Sequence, residues 1–225
     1  NKCPQQFLSS LISIPDNCLV ANIYVPTTNA TNLPVLIFIH GGGYLSGYGD
    51  GIQPKSLVNS KKIIAVTINY RLGAHGFLCL GTESAPGNAG LKDQVAGIRW
   101  VKENIARFGG NPNDITIAGS SAGSASVNLH LLSKMTRGLF QKLIPDSSSE
   151  IAPYSVQQDP IEDAKQFARL PAWPKVEKFN SPYMLLDRTS SVKTSLAQAR
   201  FDLWDQIYEK YYSEPKPPCH ECHFQ

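Results

Sequence analysis

The stretch that most constrains this chain is a short apolar strand followed at once by a Gly-x-Ser-x-Gly turn. Ile115 and Ile117 alternate with polar neighbours, as expected of a half-buried strand. The turn is Gly119-Ser120-Ser121-Ala122-Gly123, which has the spacing of a nucleophile elbow. In such an elbow the serine takes a strained backbone conformation that exposes its hydroxyl, and the glycines leave room for the neighbouring strand and helix. Taken alone, the pattern also fits an ordinary strand-to-helix turn.

A second motif lies earlier in the chain, again at the end of an apolar run. Residues 34–39 are almost entirely apolar, as expected of a strand buried on both faces of a parallel sheet. The run ends in His40-Gly41-Gly42-Gly43-Tyr44. Successive glycines leave backbone N–H groups uncovered. Together with the N–H of the residue after a nucleophilic serine, such groups form an oxyanion hole. Two motifs in this order favour a catalytic serine over a chance match.

With their flanking segments, the two motifs resemble the type B carboxylesterases, the carboxylesterase and cholinesterase group of α/β-hydrolases, and insect members in particular. The segments that carry the resemblance are residues 17–26, 34–44, 66–78, 85–94 and 108–123. The resemblance implies that Ser121 is the nucleophile and that Gly42, Gly43 and Ala122 donate to the oxyanion. It implies hydrolysis of small-molecule carboxylic esters through an acyl-serine intermediate, without a cofactor. One mild departure is Ser120, where the family often has Glu.

The remaining patterns predict an α/β architecture. Residues 61–70 are rich in β-branched side chains and predict a buried strand, and residues 141–145 predict another. Residues 89–108 predict an amphipathic helix, and residues 159–169 resemble a later helix of the family. The apolar positions of the first helix are Leu91, Val95, Ile98, Val101, Ile105 and Phe108. This order of elements is typical of a mainly parallel sheet flanked by helices, which agrees with the α/β-hydrolase fold that the resemblance implies.

Near Leu170 the sequence stops following the part of the family's domain that comes after the nucleophile. In the family a catalytic Glu or Asp, and then a His, follow the serine by well over a hundred residues, and the sequence past residue 169 does not supply them. Residues 170–212 instead resemble the family's C-terminal end, and residues 213–225 form a tail. We therefore expect a chain that is truncated at its N-terminus and internally deleted near Leu170. Residues 1–169 would be the N-terminal half of an α/β-hydrolase domain whose later strands are missing.

No histidine is an evident general base, and the triad acid and histidine are not found. The five histidines are His40, His75, His130, His220 and His223. A packing or backbone role is expected for the first three, and the last two match nothing in the family. Asp146 follows a predicted strand, where some α/β-hydrolases place their acid, but the resembling esterases draw theirs from later in the chain.

The tail contains Cys219-His220-Glu221-Cys222-His223, which has the spacing of a haem attachment site and four potential zinc ligands. A terminal run of five residues can hardly surround a metal ion tetrahedrally, so we expect no metal site. An unordered or non-native end, or a small disulfide, is the simpler interpretation.

Cysteine usage points to a secreted or lumenal setting. The resemblance implies a disulfide between Cys3 and Cys18, a bond typical of oxidising compartments. Asn29-Ala30-Thr31 is a glycosylation acceptor in a polar loop, although one such triplet arises by chance in many chains of this length. The formal net charge of +3 is spread along the chain and does not suggest nucleic acid. No apolar run approaches the roughly 18–20 residues of a membrane-spanning helix.

The sequence leaves three interpretations open. The chain is a carboxylic ester hydrolase with an impaired site, a non-catalytic esterase-like protein that binds a ligand or partner, or a truncated product without function. The ester itself and the oligomeric state are left open as well.

Overall fold

The computed structural model describes residues 2, 3, 5, 17–60, 62–152 and 154–168, with side chains as far as residue 165. Its strands are β1 (Ala21–Tyr24), β2 (Leu33–Ile39), β3 (Ile64–Ile68), β4 (Cys79–Thr82), β5 (Ala85–Pro86), β6 (Gly110–Ser120) and β7 (Lys142–Asp146). Its helices are α1 (Lys55–Asn59), α2 (Gly73–Phe77), α3 (Ala89–Asn104), α4 (Ala122–Leu132) and α5 (Pro160–Ala168). The segment 170–212 and the tail 213–225 assigned from the sequence lie outside these residues.

The described strands form one five-stranded sheet in the order β1-β3-β2-β6-β7, beside a small β4–β5 hairpin. β2 pairs in parallel with both β3 and β6, and β6 pairs in parallel with β7. Among the described strands of this sheet, β1 alone is antiparallel, against β3. The mainly parallel sheet predicted from the sequence is therefore confirmed, with one antiparallel strand at its edge.

The two faces of this sheet are covered differently. On one face the side chains of β2, β3 and β6 are fully buried beneath α3 and α4: Val35, Ile37, Ile39, Ile64, Val66, Ile68, Ile115 and Ile117. On the other face, in the in-register row Phe38, Ala118 and Ile144, Phe38 is partly buried, Ala118 is buried, and Ile144 is 54% exposed. Among the described residues, the short helix α1 packs against β3 on this side. The hydrophobic core therefore lies mainly between the sheet and α3 with α4.

The predicted helix over residues 89–108 is divided in the structure. α3 ends at Asn104, and a 3-10 turn over Ile105–Phe108 follows it, ended by Gly109 at φ 84°. A 3-10 turn advances the side chains by a larger angle per residue than an α-helix, so Phe108 leaves the apolar stripe. It is 40% exposed, while the other five positions predicted on that stripe are buried.

The Cys3–Cys18 disulfide implied by the resemblance is present, with Cα atoms 4.8 Å apart. It joins the N-terminal residues to the segment that leads into β1. None of the described helices is long and apolar enough to cross a membrane.

Candidate active site

The register of the sheet brings the two glycine motifs to the same edge. Ile39 at the end of β2 is paired with Gly119 near the end of β6, so both strands finish side by side. A methyl group placed on Gly41 would lie 2.5 Å from the Ser120 carbonyl oxygen and 3.1 Å from the Ser121 Cβ. The glycine loop (residues 41–47) and the serine turn are therefore in van der Waals contact, and only glycine allows it at position 41.

The serine turn has the strained geometry that its sequence predicts. Ser121 lies at φ 54° and ψ −121° immediately before α4, a region that non-glycine residues rarely occupy. A Cβ on Gly119 would overlap the Gly123 carbonyl, and a Cβ on Gly123 would overlap the Ile39 carbonyl. The two glycines therefore let strand and helix approach closely enough to hold the serine in this conformation.

Main-chain hydrogen bonds fix the serine turn at both sides. The Ser121 N–H donates to the Asp146 carbonyl at 2.9 Å, and the Ser121 carbonyl accepts from the Ala125 N–H at 3.0 Å. The Asp146 carboxylate itself is exposed and accepts from the Ser147 hydroxyl at 2.9 Å. The contact of Asp146 with Ser121 is thus made by its backbone.

The glycine loop makes a tight turn built from consecutive left-handed residues. Gly42, Gly43 and Tyr44 have φ values of 112°, 61° and 60°. The Gly42 carbonyl accepts from the N–H groups of Leu45 and Ser46 at 3.0 and 3.1 Å. Gly42 and Gly43 are exposed, whereas Ala122, the third expected oxyanion donor, is fully buried at the start of α4.

A buried polar network connects this loop to α3 and α4. The His130 Nε2–H donates to the Gln94 Oε1 at 2.8 Å, and the Gln94 Nε2 donates to the Ser126 hydroxyl at 3.2 Å. That hydroxyl donates to the Ala122 carbonyl at 3.0 Å and lies 3.2 Å from the Tyr44 hydroxyl. Burial raises the pKa of Tyr44 to about 12, so the phenol stays neutral. No sequence motif marks Gln94 or Ser126 as functional, although polar residues among buried helix positions were a usable signal.

The described histidines are placed by packing. His40 stacks on Tyr70 with ring centroids 4.3 Å apart, and its Nδ1–H donates to the Gly41 carbonyl at 2.8 Å. Burial lowers the pKa of both His40 and His130 to about 4. The pKa of His75 in α2 is lowered by burial and by the nearby Arg71 charge.

Within the described residues, no hydrogen bond joins the Ser121 hydroxyl to a histidine, and no three His, Cys, Asp or Glu side chains gather as a metal site requires. His220 and His223 lie outside the described residues. The glycosylation acceptor predicted at Asn29 lies on an exposed loop between β1 and β2, and Thr31 is exposed beside it.

Comparisons with known proteins agree with the geometry. Cholinesterase 1 of Branchiostoma lanceolatum is 46% identical over 155 residues, which cover 68% of this chain and 43% of that protein. Juvenile hormone esterase of Tribolium castaneum is 51% identical over 139 residues, covering 60% of this chain and 24% of the relative. Neuroligin-2 of Mus musculus is 41% identical over 174 residues, covering 68% and 21%. The chain spans less than half the length of each of these relatives.

The profile of the Carboxylesterase family matches residues 1–210, which include the glycine loop and the serine turn. The match agrees with the α/β sheet and with the two motifs at its edge, and the chain therefore belongs to the carboxylesterase family.

Proposed function

We propose that this chain carries the nucleophile and the oxyanion hole of a carboxylic ester hydrolase that acts on small-molecule esters without a cofactor. The observation that carries the proposal is the strained Ser121 at φ 54°, with Gly41 packed against it. The Ser121 oxygen would attack the ester carbonyl carbon. The N–H groups of Gly42, Gly43 and Ala122 would bind the oxygen that becomes negative as the tetrahedral intermediate forms.

The same proposal makes the site of this chain an impaired one. When serine attacks, its proton must go to a base. Among the described histidines, His40 is hydrogen-bonded to the Gly41 carbonyl, His130 is hydrogen-bonded to Gln94, and His75 lies in α2. The proton would then go to water. In serine hydrolases, loss of the serine or the histidine costs up to about 2 × 10⁶ in turnover, and the oxyanion hole with binding leaves roughly 10³–10⁴-fold over water.

A non-catalytic esterase-like binding protein is the second candidate. The observation that favours it is the placement of His40 and His130, which are buried and hydrogen-bonded to the Gly41 carbonyl and the Gln94 side chain. In this case the sheet edge and its glycine loop would hold a ligand or a partner, and Ser121 would take no part in a reaction.

A truncated product without function is the third candidate, and it predicts that the chain does not fold cooperatively.

The domain assignment and the cellular setting belong to the same proposal. Residues 1–169 are assigned to the N-terminal half of the hydrolase domain. The family match runs on to residue 210, which supports assigning residues 170–212 to the C-terminal end of that domain. The disulfide Cys3–Cys18 and the exposed acceptor Asn29 favour a secreted or lumenal glycoprotein.

The test compares the purified chain with its Ser121→Ala variant on p-nitrophenyl acetate. We expect turnover at no more than the residual level, with the substitution changing it little, because a serine without a base adds little to the oxyanion hole. Ordinary esterase turnover that Ser121→Ala abolishes would show that a base exists and would overturn the proposal that the site is impaired. Labelling with a fluorophosphonate probe separates an activated serine from both non-catalytic alternatives.

A further inference from the structure

Tyr44, the last residue of the glycine motif, has a strained backbone although its side chain is buried. Its φ is 60°, in the left-handed region that aromatic residues rarely occupy, and it is 3% exposed. A backbone of this kind persists only where surrounding contacts determine it, and such residues cluster at functional sites. The contacts of Tyr44 therefore indicate what the fold requires of the glycine loop.

Two contacts hold Tyr44 from the side of α2. The Gly73 N–H donates to the Tyr44 carbonyl at 2.7 Å, and the Tyr44 ring packs edge-on against Phe77 with ring centroids 5.0 Å apart. These contacts fix the backbone and the ring. A phenylalanine would make both of them, so neither explains the hydroxyl group.

The Tyr44 hydroxyl contacts α4 instead. It lies 3.2 Å from the Ser126 hydroxyl, across a separation of 82 residues in the chain. A buried tyrosine hydroxyl usually needs a hydrogen-bond partner, and Ser126 supplies it. In the part of the chain that the structure describes, no other hydrogen bond joins residues 41–47 to α4. The two hydroxyls therefore link the glycine loop to the helix that begins at Ala122.

The Ser126 hydroxyl uses its one proton and both of its acceptor positions. It lies 3.0 Å from the Ala122 carbonyl, and it accepts from the Gln94 Nε2 at 3.2 Å. Because the carbonyl can only accept, the Ser126 proton goes there, and the Tyr44 O–H donates to the remaining position on Ser126. In this arrangement the Tyr44 hydroxyl, the Ser126 hydroxyl and the Gln94 amide each donate to an acceptor.

Tyr44 and Ser126 each adjoin a proposed oxyanion donor. Tyr44 directly follows Gly43, and Ser126 lies about one helical turn after Ala122 and is bonded to its carbonyl. The N–H groups of an oxyanion hole must reach one oxygen atom at about 3 Å. A small change in the separation between the glycine loop and α4 would therefore remove one donor from that oxygen.

We propose that Tyr44 and Ser126 are positioning residues that hold the Gly43 N–H and the Ala122 N–H at a fixed separation. This role rests on the proposed function, which assigns both N–H groups to the oxyanion hole. Both side chains are buried, so they act through the backbone and not on the ester. Tyr44 fixes the glycine loop, Ser126 fixes the first turn of α4, and the hydrogen bond between them ties the two positions together.

The first experiment measures backbone order by NMR in the full chain labelled with ¹⁵N. In the unsubstituted chain we expect order parameters of about 0.85 at Gly42 and Gly43, the value of a rigid backbone. Tyr44→Phe keeps the ring against Phe77 and removes only the hydroxyl. It should lower the order parameters of both glycines below about 0.6, the range of a flexible backbone.

Thr136→Val is the matched control. The Thr136 hydroxyl is also buried, and it donates to the His130 carbonyl at 2.5 Å near the other end of α4. Its loss should leave the order of Gly42 and Gly43 unchanged. Unchanged order in Tyr44→Phe, an equal loss of order in Thr136→Val, or a glycine loop that is already flexible in the unsubstituted chain would overturn the proposal.

A double-mutant cycle tests whether the two hydroxyls act as a pair. Ser126→Ala removes the acceptor of both Tyr44 and Gln94, so its own effect should be larger. In the Ser126→Ala background, Tyr44→Phe should change the order of Gly43 little, because the contact that it removes is already lost. Fully additive effects would contradict the pair. If Ser126→Ala does not fold, Tyr44→Phe and Thr136→Val still decide the outcome.

Residual turnover of p-nitrophenyl acetate separates a positioning role from a merely structural one. Tyr44→Phe should lower kcat about fivefold, the factor that corresponds to the loss of one typical hydrogen bond. KM should stay unchanged, because the donors act on the oxyanion that forms in the transition state. Thr136→Val should change neither constant more than about twofold.

The two readouts fail separately. A loss of order in Tyr44→Phe without a change in kcat would make the hydrogen bond structural only and would overturn the positioning role. If the unsubstituted chain shows no turnover above the uncatalysed rate, the proposed function fails, and with it the assignment of the N–H groups to an oxyanion hole. The NMR comparison then still decides whether the two hydroxyls hold the glycine loop against α4.

Discussion

The side-chain amide of Gln5 contacts the main chain of Gly47 twice. Its Nε2 donates to the Gly47 carbonyl at 2.7 Å, and its Oε1 accepts from the Gly47 N–H at 3.1 Å. Gln5 also donates to the carbonyl of Cys3, which is disulfide-bonded to Cys18. Gly47 in turn lies so close to His40 that a Cβ on it would overlap the imidazole ring. The disulfide-bonded N-terminal residues therefore brace the far end of the glycine loop.

Gln5→Ala should loosen the glycine loop without unfolding the sheet. The substitution removes two hydrogen bonds to Gly47, each with a typical net value of about 1 kcal/mol. We expect amide hydrogen exchange in residues 41–47 to become up to about thirtyfold faster, while exchange in β2 and β6 stays unchanged.

Gln53→Ala is the matched control, because Gln53 is exposed and has no part in the glycine loop. Reduction of the Cys3–Cys18 disulfide should accelerate exchange in the same residues as Gln5→Ala. Unchanged exchange at residues 41–47 in the Gln5 variant would show that the loop holds its shape without this contact.

Gly123→Ala should destabilise the fold and displace the serine turn. The added methyl group would overlap the Ile39 carbonyl and approach the His40 carbonyl to 2.9 Å, so α4 must move away from β2. Overpacking of this kind typically costs about 1–3 kcal/mol, and backbone carbonyls cannot rotate away as side chains do. Urea unfolding measures the loss.

Gly138→Ala adds the same methyl group where no atom of the described residues lies within 4 Å, although the backbone there has φ 79°. It should therefore show only the penalty of a left-handed alanine, about 1 kcal/mol. If Gly123→Ala cost no more than this control, the close approach of α4 to β2 would not be required.

The free energy of unfolding should decrease as the pH is lowered from 7.5 to 5, because His40 and His130 are buried in their neutral form. Burial lowers the pKa of His40 and His130 from 6.5 to about 4, so the unfolded chain binds protons in this window that the folded chain does not. The stabilisation is complete above pH 6.5 and is lost progressively as the pH approaches 4. By pH 5 the loss should be about 2 kcal/mol per histidine.

Urea unfolding at pH 7.5, 6 and 5 measures this dependence. Among the described residues, His75 also has a pKa lowered by burial, so His130→Gln removes one of three such groups. The substitution should reduce the slope by about a third to a half, whatever its effect on stability at pH 7.5. A free energy of unfolding that is constant over this range would contradict the burial of both rings. An unchanged slope in the variant would assign the effect to other groups.

The parts of the fold that follow from the sequence are those with a strong local pattern. The glycine spacings predicted the turns at Ser121 and Gly42 because each pattern is contained within a few consecutive residues. Apolar periodicity predicted β2, β3, α3, β6 and β7 to within a few residues. It did not predict α2, whose sequence contains two glycines that disfavour a helix; the Gly76 position is instead required by contact with the Arg71 carbonyl.

Local sequence patterns do not predict contacts between residues that are far apart in the chain. Gln5 and Gly47 are 42 residues apart, and His130 and Gln94 are 36 apart. No local pattern marks either pair, because the partners meet only after the sheet has formed. The Cys3–Cys18 disulfide was anticipated only through the resemblance to a known family.

Ile144→Lys should reduce self-association of the chain. In the described part of the chain, β7 pairs with β6 on one side and ends the sheet on the other, and Ile144 is 54% exposed there. An edge strand with an exposed apolar side chain can pair with another copy, and a lysine on such an edge opposes it. We expect light scattering of a concentrated solution to grow severalfold more slowly for the variant than for the unsubstituted chain.

The neighbouring residue provides the control. Leu143 lies on the opposite face of β7 and packs against the hydrophobic core, so Leu143→Lys should destabilise the fold and increase aggregation. Opposite effects of the same substitution at adjacent positions would assign the association to the exposed face and edge of β7. If the unsubstituted chain stays monodisperse at high concentration and Ile144→Lys changes nothing, association through the edge of β7 is contradicted.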